Sequence, residues 1–461
     1  MARFFLDFKL PRQDKKTIVS AMNFLDRFFE ISKRNSTVKT EITAGFTTFA
    51  AMSYILAVNP AILSSTGMET AGLITVTAIA TIISSIAMGL YSNLPIAAAP
   101  AMGTNTYFAV IICAGMGLTW QQALSVTFYN GIVFLLISIC GVREKIIKSL
   151  PNALKISLQC GIGLFIAFMG LQHSGIISKN DATFVALGNL DTPQVWLTLL
   201  GFAAMAFMIA KKVRGAIIYS ILAITAIAFF VPDADGLPLA KMPEKIVSLP
   251  NSISQTFCAL DFAYPFRDIR TSLPVIFTLL LLDLFDTIGT VVALCKRMES
   301  ENHGGEPKSL SKALVVDSSS TIMGALLGTS TVTCFVESAS GIEDGGRTGL
   351  VSIITGICFA IALFFTPIIS SIPAFVTAPA LILVGIMMMS GIGSLNTKDP
   401  AEHMPAIFCM MMIMLSFSIT KGFAFGVIMY VLMMAASSRI KKISAPTWGL
   451  FAVMCLFLFA I

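Results

Sequence analysis

Three carboxyl groups lie deep within apolar stretches of this chain, and their types and spacing define the chemistry open to it. Asp283 and Asp286 occur in Leu282-Asp283-Leu-Phe-Asp286-Thr-Ile-Gly-Thr290, and Glu337 in Thr331-Val-Thr-Cys-Phe335-Val-Glu337-Ser338-Ala-Ser-Gly341. A carboxylate within a membrane helix costs at least about 2.5 kcal/mol on insertion scales, so such residues face a bundle interior and act there. Three positions apart, Asp283 and Asp286 share one helix face. Glu337 stands where a short β-branched run hands over to a helix start. The positive end of a half-helix there favours its ionised form, while burial favours protonation. A carboxyl balanced between those terms can couple a proton to a solute. The expected proton-coupling residues are Asp286, Glu337 and Asp283.

The same neighbourhoods supply groups that could hold a solute. Asn105, in Ala99-Pro100-Ala-Met-Gly103-Thr104-Asn105, offers both a donor and an acceptor. Phe335, two residues before Glu337, and Phe108 could stack on a flat ring. With Ser338 and Thr104 beside the acids and Asn105, the expected substrate-binding set is Glu337, Asp286, Phe335, Asn105, Ser338 and Thr104. Arg347 with Thr348 could serve the site or simply end a helix, and Glu343 and Asp344 read as a solvated turn. Met387 to Met389 and Met410 to Met412 read as lipid-facing or packing residues.

Other chemistries lack their parts. Gly345-Gly-Arg347 has neither the lysine nor the spacing of a phosphate-binding loop, and no His-Glu-x-x-His or Ser/His/Asp order suggests a hydrolase. His173, His303 and His403 are too scattered for a metal centre, and the nine cysteines form no Cys-x-x-Cys pair. The chain is expected to be no enzyme and to need no cofactor and no metal.

Positioning carboxyl groups in an apolar medium requires a membrane scaffold, and the composition supplies one. Of 461 residues 56% are hydrophobic and 12% charged, against about 25% charged in soluble domains. Mean hydropathy is +0.84. With about 20 apolar residues needed per span, segments fall at 42 to 64, 71 to 92, 98 to 116, 121 to 141, 153 to 173, 194 to 210 and 214 to 231. A second set runs 273 to 295, 311 to 328, 331 to 343, 347 to 371, 375 to 393, 404 to 420 and 422 to 438. The fold class is an all-α polytopic membrane protein of fourteen transmembrane segments, with strands and half-helices in spans three and ten. The short apolar stretch at 446 to 461 could span or lie at the interface.

Residues 1–41 read as a basic cytoplasmic segment rather than a signal peptide, with Phe4, Phe5, Phe8, Phe24, Phe28 and Phe29 on amphipathic surface helices. Residues 42–232 form a first repeat, 233–272 a polar linker, 273–438 a second repeat and 439–461 a basic turn with the last apolar stretch. Arg143, Lys145, Lys148, Lys211, Lys212, Arg214, Lys296, Arg297, Lys398, Arg439, Lys441 and Lys442 all fall on the side of the N-terminus, which places that side in the cytoplasm. The net charge of +6 is therefore topological and no nucleic acid is expected. Seven spans per half force the halves into opposite orientation, the inverted-repeat plan of many secondary transporters. Adding the spacing between 42 and 273 to Pro100 lands on Thr331. Both broken spans thus occupy matching positions, the best sequence pointer to a transporter's binding site.

At these residues the chain resembles the adenine, guanine and hypoxanthine permease family, a branch of the nucleobase:cation symporter-2 group. The matching stretches are Ser36-Thr-Val-Lys-Thr-Glu41-Ile-Thr-Ala-Gly45-Phe-Thr-Thr-Phe, Val58-Asn59-Pro60, Ala99-Pro-Ala-Met-Gly-Thr-Asn105, Leu284-Phe-Asp-Thr-Ile-Gly-Thr290, Glu337-Ser338, Gly345-Gly-Arg-Thr-Gly-Leu350 and Thr377-Ala-Pro-Ala. They spread over residues 30 to 440. The resemblance implies a fourteen-helix fold of core and gate domains, antiparallel strands in spans three and ten, and proton-coupled purine uptake across the cell membrane. It assigns Asp286 and Glu337 to the base-binding site. Ala101 and the Val-Thr before Glu337-Ser338 favour the adenine-type branch; Thr104 and Thr106 stand where the family commonly carries Leu and Ala. Expected partners are a purine base, protons in preference to Na+, the bilayer and a second copy as a homodimer. The rivals are the same fold carrying uracil, xanthine or a small anion, and, from another class, a channel or receptor.

Overall fold

The computed structural model describes residues 24–140, 151–181, 183–213, 215–233, 237–243, 245–299, 307–416 and 418–460. Phe4, Phe5, Phe8, Arg143, Lys145, Lys148, Arg214, Asp235, Glu244 and His303, on which expectations were placed, lie outside these residues. Where hydropathy marks a segment, an element is found. Trp120–Ile139, Asn152–His173, Pro193–Ala210, Ile269–Glu299, Pro307–Leu327, Gly349–Ala362, Ala374–Met388, Pro400–Leu415, Ile419–Ala436 and Ala445–Ala460 are helices. Among the described residues, eight helices are long and apolar enough to cross a membrane. The chain is a multi-pass helical membrane protein.

Local chemistry explains where regular helix stops. The first span is capped by Thr37, whose hydroxyl accepts from the Thr40 amide, and runs Val38–Met52 before breaking at Ser53 and Tyr54. It resumes as Ile55–Leu63, which carries Pro60. Pro60 lacks the amide that would bond the Leu56 carbonyl, and the backbone tightens into Leu56 N–H to Ser53 O (3.2 Å) and Ala57 N–H to Tyr54 O (3.0 Å). The break aims Tyr54 into the protein, where it is fully buried.

Spans three and ten break more completely. Strand β1 (Ala98–Pro100) leads into the helix Met102–Thr106, which widens into a looser helical coil through Gly115. β2 (Ile177–Asn180) and β3 (Phe184–Leu187) form a hairpin that hydropathy did not mark. β4 (Val332–Cys334) leads into the six-residue helix Ser338–Glu343. β1 and β4 pair antiparallel in the register Ala98 with Cys334, Ala99 with Thr333 and Pro100 with Val332. The ladder is extended by Ala101 N–H to Thr331 O and Phe335 N–H to Ala97 O, both 2.9 Å. Such pairing is what permits extended backbone at membrane depth, since no water is there to satisfy it.

Packing sorts the helices into two groups. In one, Gly349–Ala362 lies on Val38–Met52 and Thr70–Ala87, and Trp120–Ile139 on Pro307–Leu327 and Ile269–Glu299. In the other, Asn152–His173 lies on Ala374–Met388 and Pro400–Leu415, which in turn packs on Ile419–Ala436. Close backbone approach cements the second group. A Cβ on Gly385 would stand 2.4 Å from the Gly163 carbonyl oxygen, and one on Gly163 2.5 Å from the Gly385 oxygen. Small residues at such a crossing let membrane helices touch without a hydrophobic driving force. Gly385→Val is therefore expected to cost about 1–3 kcal/mol, the range for forced overpacking. Thermal unfolding of the purified protein in detergent checks this, and an unchanged midpoint would refute it.

Within the polar linker 233–272, Thr256 and Cys258 are moored to the first group. Cys258 N–H donates to Leu326 O (2.7 Å), and Thr256 Oγ1 donates to Leu327 O (3.0 Å). Thr256 presses on Gly328, whose φ of +101° forms the turn before the Thr-rich run and leaves no room for a side chain.

Candidate functional site

The ladder's two exits define the site. Side chains that follow β1 and β4 enter a cavity of about 380 Å³ between the two helix groups. From the first group come Thr104, Asp286, Thr290, Thr333, Phe335 and Glu337; from the second, Gln159, Ile162, Ile166, Val384, Met387 and Met388. The volume lies in the range of about 300–1,000 Å³ usual for small-molecule sites.

The expected residues separate on this map. Glu337, Asp286, Phe335 and Thr104 line the cavity. Tyr54 Oη donates to Glu337 Oε1 at 2.5 Å, so the break in the first span holds this carboxylate from behind. Thr104 Oγ1 donates to Ala101 O at 3.1 Å and meets Thr331 Oγ1, joining the half-helix after β1 to β4. Asn105 and Ser338 are not among the lining residues and work on the scaffold. Asn105 Nδ2 donates to Asn59 Oδ1, and Asn59 Nδ2 donates to Thr77 Oγ1 at 2.8 Å. Ser338 Oγ accepts from Ala97 N–H at 3.0 Å and so fastens the ladder's end. Asp283 also lies off the cavity, bonded to Asn130 on Trp120–Ile139. Phe108 is fully buried in the core.

Sequence reasoning missed several contributors. Met387 and Met388, read as lipid-facing or packing, form part of the cavity wall; an unbranched thioether adapts to irregular space in either setting. Gln159 carried no signal, being one polar residue in a long apolar helix. Asp317, 1% exposed, accepts from Thr287 Oγ1 (2.7 Å) and from the Cys334 amide (3.3 Å), so it ties β4 to the helix bearing Asp286. Its signal was present, an acid among Val315, Val316 and Ser318 in an apolar segment.

The polar turn after Glu337 is fastened to the first span. Gly341 packs so tightly on the first span that a Cβ would lie 2.2 Å from Thr48 Oγ1 and 2.8 Å from Ala44 O. Arg347 closes its own turn, donating to Ile342 O (2.6 Å) and Gly346 O (2.8 Å). Asp344 accepts from Thr47 Oγ1 (2.6 Å), so the turn is anchored rather than merely solvated. The Glu41 carboxylate, fully buried, accepts from Arg347 N–H (2.9 Å), Thr348 N–H (3.1 Å) and Thr348 Oγ1 (2.7 Å). Glu41→Ala strands these donors, each worth about 1–3 kcal/mol when buried and unpaired. A fall in folded yield and thermal midpoint is expected, and parental behaviour in both would show that the turn does not depend on Glu41.

Comparison with known proteins agrees with this geometry. The family described as Permease family (Xan_ur_permease) matches residues 39–425. Adenine permease AdeP of Escherichia coli (strain K12) is 37% identical over 428 residues, 93% of this chain and 94% of that one. Guanine/hypoxanthine permease PbuG of Bacillus subtilis (strain 168) is 38% identical over 439 residues, 93% of this chain and 98% of that one. In fold, the transmembrane domain of a cyanobacterium bicarbonate transporter, BicA, aligns with a TM-score of 0.61 at 15% identity, covering 87% of this chain and 97% of that domain. These relatives are transporters and not enzymes. On the strength of a match that runs from the first span to the penultimate helix, the chain belongs to the Permease family.

Proposed function

We propose that this protein imports purine nucleobases, adenine foremost, by proton symport with alternating access. The observation that carries the reading is the cavity itself: two intramembrane carboxyl groups, Asp286 and Glu337, open onto one space between two helix groups, beside the ring of Phe335. A purine presents N–H donors and ring acceptors on its edge and a flat apolar face. Glu337 accepts from that edge, Phe335 covers the face, and Asp286 carries the coupling proton. The relatives named for adenine and for guanine and hypoxanthine support a nucleobase as the cargo. Their difference makes guanine or hypoxanthine the second reading. Among the described residues the cavity lining has two acids and no Lys, Arg or His, which favours a neutral base over an anion despite the shared fold with a bicarbonate carrier.

The architecture we infer is fourteen spans in two inverted repeats, 42–232 and 273–438, joined by 233–272 and flanked by 1–41 and 439–461. The antiparallel pairing of the two broken segments supports it. The two packing groups serve as core and gate, the N-terminus faces the cytoplasm of the cell membrane, and two copies associate as a homodimer. Proteoliposomes under an inward proton gradient should accumulate labelled adenine saturably. Unlabelled guanine, hypoxanthine, xanthine and uracil, added in turn, rank the specificity. No uptake of any purine would overturn the reading; a flux without concentration against a gradient would indicate a channel.

A further inference from the structure

The pair formed by Asp283 and Asn130 is a buried acid contact that uptake does not use. Asn130 Nδ2 donates to Asp283 Oδ2 at 2.6 Å, joining Ile269–Glu299 to Trp120–Ile139. Asn130 is fully buried and Asp283 is 2% exposed. Each has a second oxygen, Asp283 Oδ1 and Asn130 Oδ1, that no donor among the described residues meets in hydrogen-bond geometry. Both are acceptors, on side chains already in contact. Buried polar atoms without partners cost about 1–3 kcal/mol each, so two on one contact call for a common cause.

The Thr331 hydroxyl is within hydrogen-bonding reach of Asp283 but has only one proton to give. Thr104 Oγ1 spends its own proton on Ala101 O, so in the short Thr104–Thr331 contact the donor is Thr331. The acids whose fields reach Asp283 are Asp317 and Asp286, and any charge they carry repels a second anion. No cation faces it among these neighbours. An isolated carboxylate in such surroundings is far costlier than the neutral acid.

We propose that Asp283 is held as a neutral carboxylic acid in a reciprocal pair with Asn130. The acid O–H on Oδ1 donates to Asn130 Oδ1 while Asn130 Nδ2 donates to Asp283 Oδ2. One proton satisfies both oxygens, and the two helices are joined by two hydrogen bonds without net charge. This proton is retained through the transport cycle. Asp283 is thus a positioning residue that fixes the helix bearing Asp286, and not a coupling acid.

Asparagine has the donor and acceptor layout of the protonated acid, so Asp283→Asn should keep both hydrogen bonds. Infrared difference spectra of the purified protein in H2O and D2O read the protonation state without any substrate. The parent is expected to show a protonated-carboxyl C=O band from acidic pH to pH 8, with a component lost in Asp283→Asn. That variant should keep the parental thermal midpoint and the parental pH profile of adenine uptake. Asn130→Leu, which removes the partner, should lower the midpoint, and Asp283→Leu should do the same. If the Asp283→Asn spectrum loses no protonated-carboxyl component, or if that variant folds but no longer accumulates substrate, the assignment is wrong. Because the spectral test needs no nucleobase, its failure is distinguishable from failure of the transport reading.

Discussion

Glu337→Gln is expected to weaken purine binding by about tenfold or more. A hydrogen bond to a charged group is worth about 1.5–3 kcal/mol, and each 1.4 kcal/mol is about tenfold in Kd. The carboxylate is acceptor-only, and Tyr54 occupies one of its oxygens with a 2.5 Å hydrogen bond. With about four lone-pair sites on its two oxygens, the carboxylate keeps capacity to take an N–H from the base. In the amide, one oxygen remains for Tyr54 and the other position becomes an NH2, which opposes the base's N–H donor with another donor. Equilibrium binding of labelled adenine to purified protein reads the effect. The variant should still reach the membrane, since exchanging a buried carboxyl for an amide does not hinder insertion. A Kd within about twofold of the parent, equivalent to well under 1 kcal/mol, would remove Glu337 from the binding edge.

Asp286→Asn is expected to abolish accumulation driven by the proton gradient while sparing part of the binding. An amide cannot take up and release a proton, so the variant should exchange labelled for unlabelled base across the membrane yet never concentrate it. Equilibrium exchange and gradient-driven uptake, measured on the same vesicles, separate the two. Parental accumulation with parental pH dependence would shift coupling to another group. Taken with Glu337→Gln, the experiment distinguishes loss of the solute contact from loss of the driving force.

Much of this was legible before any coordinates. Hydropathy located Trp120–Ile139 and Asn152–His173 to within two residues at each end, because both interrupt apolar runs with polar ones. β4 was legible from its β-branched residues, and the acids from the cost of charge in an apolar medium. What was not legible is pairwise. Nothing in the sequence ties Tyr54 to Glu337, 283 positions away. Ser338 looked like a ligand because it follows Glu337, yet its hydroxyl faces the ladder. Asn105 gives its amide N–H to Asn59 and lies off the cavity lining. That Met387 and Met388 also line the cavity was not legible because the same side chain suits lipid, core and pocket, and only the crossing of Ala374–Met388 with Asn152–His173 decides.

The β1–β4 ladder constrains how such a site can work. Two strands from different halves of the chain are stitched by backbone hydrogen bonds, and Thr104 to Thr331 and Ser338 to Ala97 add rivets on either side. Moving one half-site relative to the other would tear bonds that no water can replace. Glu337 and Thr104 therefore travel as one piece of cargo holder, with Asp286 lashed to it by Asp317. In the alternating-access cycle proposed above, opening to one side or the other occurs along the opposite wall, where Ile162, Ile166, Val384, Met387 and Met388 present apolar, deformable contacts beside Gln159. On that proposal the wall is the slip plane, and its friction, set by a few methyl and thioether groups, is a rate that engineering could tune without touching the base.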